Sequence, residues 1–180
     1  MYPDLFEKCI KIVLKNEGGY GNHPADKGGE TIYGIADAAD GKKDGMIDIN
    51  RDGIPDVKVK DLTVDQAKEI YYNQYWKPMN IDGLRDEDIA LQVFDFGVNA
   101  GPGRAIRMLQ LLTGSTVDGS CGPQTCRKVN YFDGDLASIY RKQRRKFYIE
   151  LAKANAEYQV FLAGWLNRVD KTSFNYGNIQ

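Results

Sequence analysis

The stretch LKNEGGYGNHPADKGGETIYGIA, residues 14–36, decides how the chain is read. It joins a segment with helical spacing to a short run with strand character. Between them it sets acids among closely spaced glycines. Glycine in such density marks a backbone that turns sharply or is closely approached, and an acid just before the turn sits at a helix end facing whatever cleft lies there. Upstream, Leu5, Phe6, Cys9, Ile10, Val13 and Leu14 recur at helical spacing, and Asp4 with Glu7 forms a D-x-x-E start signal. This predicts a helix from Asp4 to about Glu17, ended by Gly18 and Gly19. Downstream, ETIYGIA predicts a short strand or small hairpin.

Working outward, residues 37–60 are polar, acidic and glycine-dotted, and read as an inserted loop. The helical pattern returns at Thr63 with a T-x-x-Q cap to Gln66 and an apolar face of Ala67, Ile70, Tyr71 and Tyr75. Residues 86–101 turn Ile89, Ala90, Val93, Phe94 and Val98 toward a core and stop at Gly101. The next helix runs from Pro102 to Gly114. A short one follows at GPQTCRKV, then the longest run at 135–155 and a last helix at about 158–167. The sum is a mainly α fold with one short β-hairpin in the N-terminal half.

Composition excludes several function classes. With 180 residues, 42% apolar and 27% charged, the chain suits a folded soluble domain. A formal net charge of -1 gives no field for nucleic acid or an anionic membrane, so no nucleic-acid partner is expected. His23 is the single histidine and no G-x-S-x-G occurs, which argues against Ser/His/Asp chemistry and against a Cys/His zinc site. Cys9 falls on the apolar stripe as a buried thiol, while Cys121 and Cys126 could pair only if their loop folds back. No apolar run approaches the roughly 18 residues of a membrane span. The start MYPDLFEKC lacks a signal-peptide pattern. Synthesis in the cytoplasm without an evident signal is therefore expected, and a target outside requires export by other means or a signal trimmed away.

Glycosidases work with two acids, one protonated to help the leaving oxygen depart and one ionised to activate water or attack. Glu17 at the helix end and Asp26 in the glycine-rich loop fit these roles. Glu30 is an alternative second acid. Thr31 follows five residues after Asp26, and this acid, acid, threonine order resembles phage-type lysozymes within one residue. More closely, Glu17-Gly18-Gly19-Tyr20, Asp26, Gly28-Gly29, Thr31 and Gly34-Ile35 resemble glycoside hydrolase family 108, as do IYYNQYW at 70–76 and FDFGVNAGPGRAIRMLQ at 94–110. VDGSCGPQT at 117–125 resembles the signature of a type 3 peptidoglycan-binding half.

The resemblance implies an N-acetylmuramidase of lysozyme-like helical fold, with Glu17, Asp26 and Thr31 catalytic and no cofactor required for catalysis. It further implies a catalytic half at 1–85 containing the insertion, and a helical peptidoglycan-binding half at 86–180, packed as one compact unit. Peptidoglycan glycan strands are the implied partner, the cell wall is the implied site of action, and a monomer is expected. Some members carry a secretion-activator label, so a non-catalytic peptidoglycan-binding scaffold is one alternative and a lytic transglycosylase is another.

Further candidates surround this set. Asp95 and Asn99, four apart, share a helix face and are candidates for contacting sugar or water; the alternative for Asn99 is a buried amide fixing the Gly101 turn. Tyr20 and Tyr33 are favoured for stacking on sugar, with Tyr75 and Trp76 behind them. In the insertion, Asp48, Asn50, Asp52, the backbone of Ile54, and Asp56 follow the start of an EF-hand-type loop, with Gly53 at its sharp turn. Val59 stands where a bidentate Glu would close it. A structural calcium and a solvated acidic turn are both open readings. RKQRRK at 141–146 reads as a solvated helix face or as a surface for anionic glycan.

Overall fold

The computed structural model describes residues 1–21, 29–37 and 41–174. The fold is mainly α, as the periodicity predicts. Helix α1 is Asp4–Glu17, and Phe6, Cys9, Ile10 and Val13 are its buried stripe. Its start differs from expectation: Pro3 holds the cap position and no side chain caps the helix, so Asp4 and Glu7 serve as acids in the first turn, where the dipole favours them. Two small antiparallel hairpins follow, β1 Thr31–Ile32 with β2 Ile35–Ala36, and β3 Met46–Ile47 with β4 Val57–Lys58. The second lies in the insertion that the sequence presents only as a loop. Two-residue strands are too short to leave a period in the sequence.

Helix α2, Val64–Tyr71, begins with the expected capping box: Gln66 N donates to Thr63 Oγ1 at 3.3 Å and Thr63 N donates to Gln66 Oε1 at 2.9 Å. It runs through a π-helical turn, Tyr72–Trp76, into the short α3, Lys77–Met79. Such turns are frequent at functional sites because they re-aim the side chains that follow.

Helix α4, Glu87–Ala100, is the centre of the molecule. Residues 89–97 are all buried, which fits a helix apolar nearly all round, and α4 packs against α1, α5 and α7. Gly97 permits this closeness: a Cβ there would collide with Met79 Sδ and lie 3.7 Å from Ala105 Cβ. Phe6, Trp76 and Phe94 meet edge-on at centroid distances of 5.0 to 5.8 Å and knit α1 to α4. Trp76 is fully buried and donates to Asp82 Oδ1 at 2.7 Å, so it is a core residue and not a sugar platform.

The second half comprises α5 Pro102–Thr113, α6 Pro123–Asn130, α7 Leu136–Ala154 and α8 Gln159–Lys171. The loop before α6 does fold back, leaving the Cys121 and Cys126 thiols 3.3 Å apart and unbonded. The basic run is not simply a solvated face: Arg144 points inward with no exposure, while Arg145 pairs with Asp170 at 2.6 Å. No helix among the described residues is long and apolar enough to cross a membrane.

Candidate active site

Glu17 is the last residue of α1, and the chain leaves the helix through Gly18 at φ 81°. Three elements converge on its carboxylate. The first is the tip of the β1–β2 hairpin. Tyr33 and Gly34 form a two-residue turn with φ of 51° and 76°, positive at both positions, as a type I′ turn demands. A Cβ on Gly34 would collide with Glu17 Oε2 and lie 2.7 Å from Tyr71 Oη. Glycine is thus required twice, by the backbone and by the acid packed on it. The second element is α2, whose Tyr71 hydroxyl donates to Tyr33 O at 2.8 Å. Burial and the neighbouring Glu17 carboxylate push the Tyr71 pKa up, which keeps this hydroxyl a donor.

The third element is α8. Arg168 Nη2 lies 2.7 Å from Glu17 Oε1 and 2.8 Å from Asp95 Oδ1, bridging the two acids. Asp95 has no exposure and does not reach a cleft, contrary to the sugar-contact expectation. Its oxygens accept from Arg144 Nη2 at 2.5 Å, from Arg168 and from Thr172 Oγ1 at 3.1 Å, and Asn16 Nδ2 lies 3.3 Å away. Gln92 completes the knot, accepting from Arg144 Nη1 at 2.6 Å and donating to Thr172 O. Burial alone would raise the Asp95 pKa, but the two guanidiniums outweigh it and hold the carboxyl below its usual range. Asp95 thus anchors Arg168, which in turn contacts Glu17.

Beside the hairpin tip is a cavity of about 220 Å³, lined by Gly34, Ile35, Asp48, Arg51, Tyr71, Gln74 and Tyr75. Tyr71 and Tyr75 stand on one wall at a centroid distance of 5.6 Å. Tyr20 is 51% exposed just past Glu17, and Tyr33 is half-buried at the hairpin tip. Thr31 lies on β1, bridged through its backbone to Gly21 by two 2.8 Å hydrogen bonds. The strand therefore holds the chain emerging from Glu17. Asp26 lies outside the described residues. Asn99 is exposed, not a buried amide, and accepts from the Tyr148 hydroxyl.

In the insertion, both oxygens of Asp48 accept from backbone amides, Asp52 N at 3.2 Å and Gly53 N at 2.7 Å. Asn50 accepts from Asp52 N, Asp52 from Ile54 N, and Asp56 from Ile49 N at 2.7 Å. These acids organise the loop that forms one cavity wall. Among the described residues no group of three or more His, Cys, Asp or Glu side chains is arranged to hold a metal.

Sequence reasoning placed Glu17 at a helix end, where the structure has it, and missed Arg168 beside it and Arg144 beside Asp95. The pairing spans α1, α4, α7 and α8, and no local spacing encodes it. The available signal was an acid, Asp95, in the most apolar helix of the chain, since a buried carboxylate requires buried cations.

Comparison with known proteins assigns the class to which this helical fold belongs. The model for Glycosyl hydrolase 108 matches residues 10–101, and the chain belongs to that family. A model described as a Predicted Peptidoglycan domain matches residues 104–170. Together they define a peptidoglycan-acting member of a glycoside hydrolase family. The two matches meet between α4 and α5, one helix later than the boundary at 85/86. Among solved structures, the chain is similar to one titled "Structure of Brucella abortus SagA". The identity is 30% over 93% of this chain and 90% of that one, with a TM-score of 0.69. No curated protein matches the chain.

The hairpin contact carries a direct test. Gly34→Ala is expected to cost about 1–3 kcal/mol from the left-handed backbone position alone. If Glu17 is the catalytic acid, its displacement also lowers wall-degrading activity further than the melting temperature implies. Retained activity at wild-type stability would show that the hairpin does not seat the acid.

Proposed function

We propose that the protein is an N-acetylmuramidase that hydrolyses the β-1,4 bond between N-acetylmuramic acid and N-acetylglucosamine in peptidoglycan. The observation that carries this reading is the fixation of Glu17: a partly exposed carboxylate clamped by a glycine turn, a tyrosine-bearing helix and an arginine. Glu17 protonates the leaving oxygen. Asp26, assisted by Thr31, holds the attacking water or stabilises the oxocarbenium-like transition state. Tyr20 and Tyr33 offer faces for the sugar rings, and Tyr71 and Tyr75 extend that surface into the cavity. The helices from α5 onward grip the strand. On this reading it acts at the cell wall, and we propose that it does so as a monomer.

A scaffold that only grips peptidoglycan would have no chemical need for an acid held by three elements. Purified peptidoglycan distinguishes the two: the muramidase releases soluble fragments with multiple turnover, whereas a scaffold sediments with the wall and releases none.

Calcium in the Asp48–Asp56 loop is a separate proposal: to brace the cavity wall it would have to draw these carboxylates together from the backbone amides that they accept from. Millimolar calcium is expected to raise the melting temperature of the chelator-treated protein. No shift would assign these acids to loop organisation alone.

A further inference from the structure

The C-terminal turns of α1 and α8 line a second cavity of about 450 Å³, with Arg168 in its wall. Among the described residues its polar lining is Lys15, Asn16, Asn167, Arg168, Lys171 and Ser173, with no acid among them. Arg168 is committed to Glu17 and Asp95. Lys15 and Lys171 differ: both are exposed, and neither ammonium has an ion pair or hydrogen-bond partner among the described residues. Two cations with no charge partner among the described residues, lining one space from different helices beside amides, give a local positive field in a chain whose net charge is -1.

We propose that this cavity is an anion subsite that takes carboxylates of the peptide stems carried by muramic acid. The inference rests on the muramidase reading and adds a recognition element to it. One guanidinium links the subsite to the acid: Arg168 lines the cavity and contacts Glu17 at 2.7 Å. An acid acting at the muramic acid linkage has that sugar's stem beside it, and stems bear free carboxylates. Lysine suits such a ligand, because a compact charge on a flexible arm follows a mobile peptide where a planar fork would demand one geometry.

The test compares two soluble substrates, glycan strands with stems attached and strands stripped of stems by an amidase. The readout is the ratio of kcat/KM on the two. Two solvent-exposed ion pairs predict a preference of about three- to tenfold for stem-bearing strands in the wild type, weakening at high salt. In the double variant Lys15→Gln/Lys171→Gln the ratio is expected to fall toward one. The proposal is overturned if the wild type shows no preference or if the variant keeps it. A lower melting temperature with an intact preference would mean that the lysines only complement the two helix ends. If the wild type cuts neither substrate, the muramidase reading fails separately. Calorimetric binding to the same two soluble strands then judges the subsite alone, with equal affinity for both overturning it.

Discussion

Asp95→Ala is expected to destabilise the protein by about 3–5 kcal/mol, the usual effect of removing one partner from a buried ion pair. The reason is what remains. Arg144 has no exposure and would lose its carboxylate at 2.5 Å, leaving a guanidinium in an apolar core beside Phe96. The isosteric Asp95→Asn fills the same space without the charge and is expected to destabilise comparably, which separates charge from cavity. The pH dependence follows in sign. The folded-state pKa of Asp95 lies below its ordinary value, so its contribution is complete above the ordinary carboxylate range and is lost as pH falls through the folded value. Wild type should therefore lose stability as pH drops below about 4, and Asp95→Asn should show a flatter curve there. Chemical denaturation across pH measures both. A change within about 0.5 kcal/mol at neutral pH would mean that the network is dispensable.

The largest effect on activity is expected from Glu17→Gln. Replacing a general acid with an amide of the same shape removes the transferable proton, and such catalysis contributes typically about 10²–10⁴-fold. Stability should change little by comparison. The residue sits at a helix end with its side chain 16% exposed, and Arg168 keeps its second partner in Asp95. A folded, wall-binding and nearly inactive variant is the expected result. Turnover within tenfold of wild type would remove Glu17 from the acid's role.

The helical frame was legible in the chain because burial imposes its period on sequence. The stripe of α1 and the capping box of Thr63 and Gln66 were readable from residue types alone, as was the stop at Gly114, which is left-handed at φ 64°. The helix end at Glu17 was legible for a related reason: the apolar stripe runs up to it and two glycines follow. What surrounds Glu17 was not. Gly34 looks like any hairpin glycine, and its contact with the acid depends on how the hairpin packs on α1. Asp95 was misassigned because helical spacing predicts which residues share a face but not which end of that face is open. Asn99, one turn on, is exposed while Asp95 is sealed by cations from α7 and α8. The basic run misled similarly, since one of its five cations, Arg144, neutralises the core.

The most direct measurement is the identity of the ends released from purified peptidoglycan by the wild-type protein, read by mass spectrometry against Glu17→Gln. Reducing N-acetylmuramic acid ends from the wild type, with the variant nearly silent, are predicted. Anhydro ends would make the protein a lytic transglycosylase, and equal release by both proteins would contradict the assignment of Glu17 as the acid.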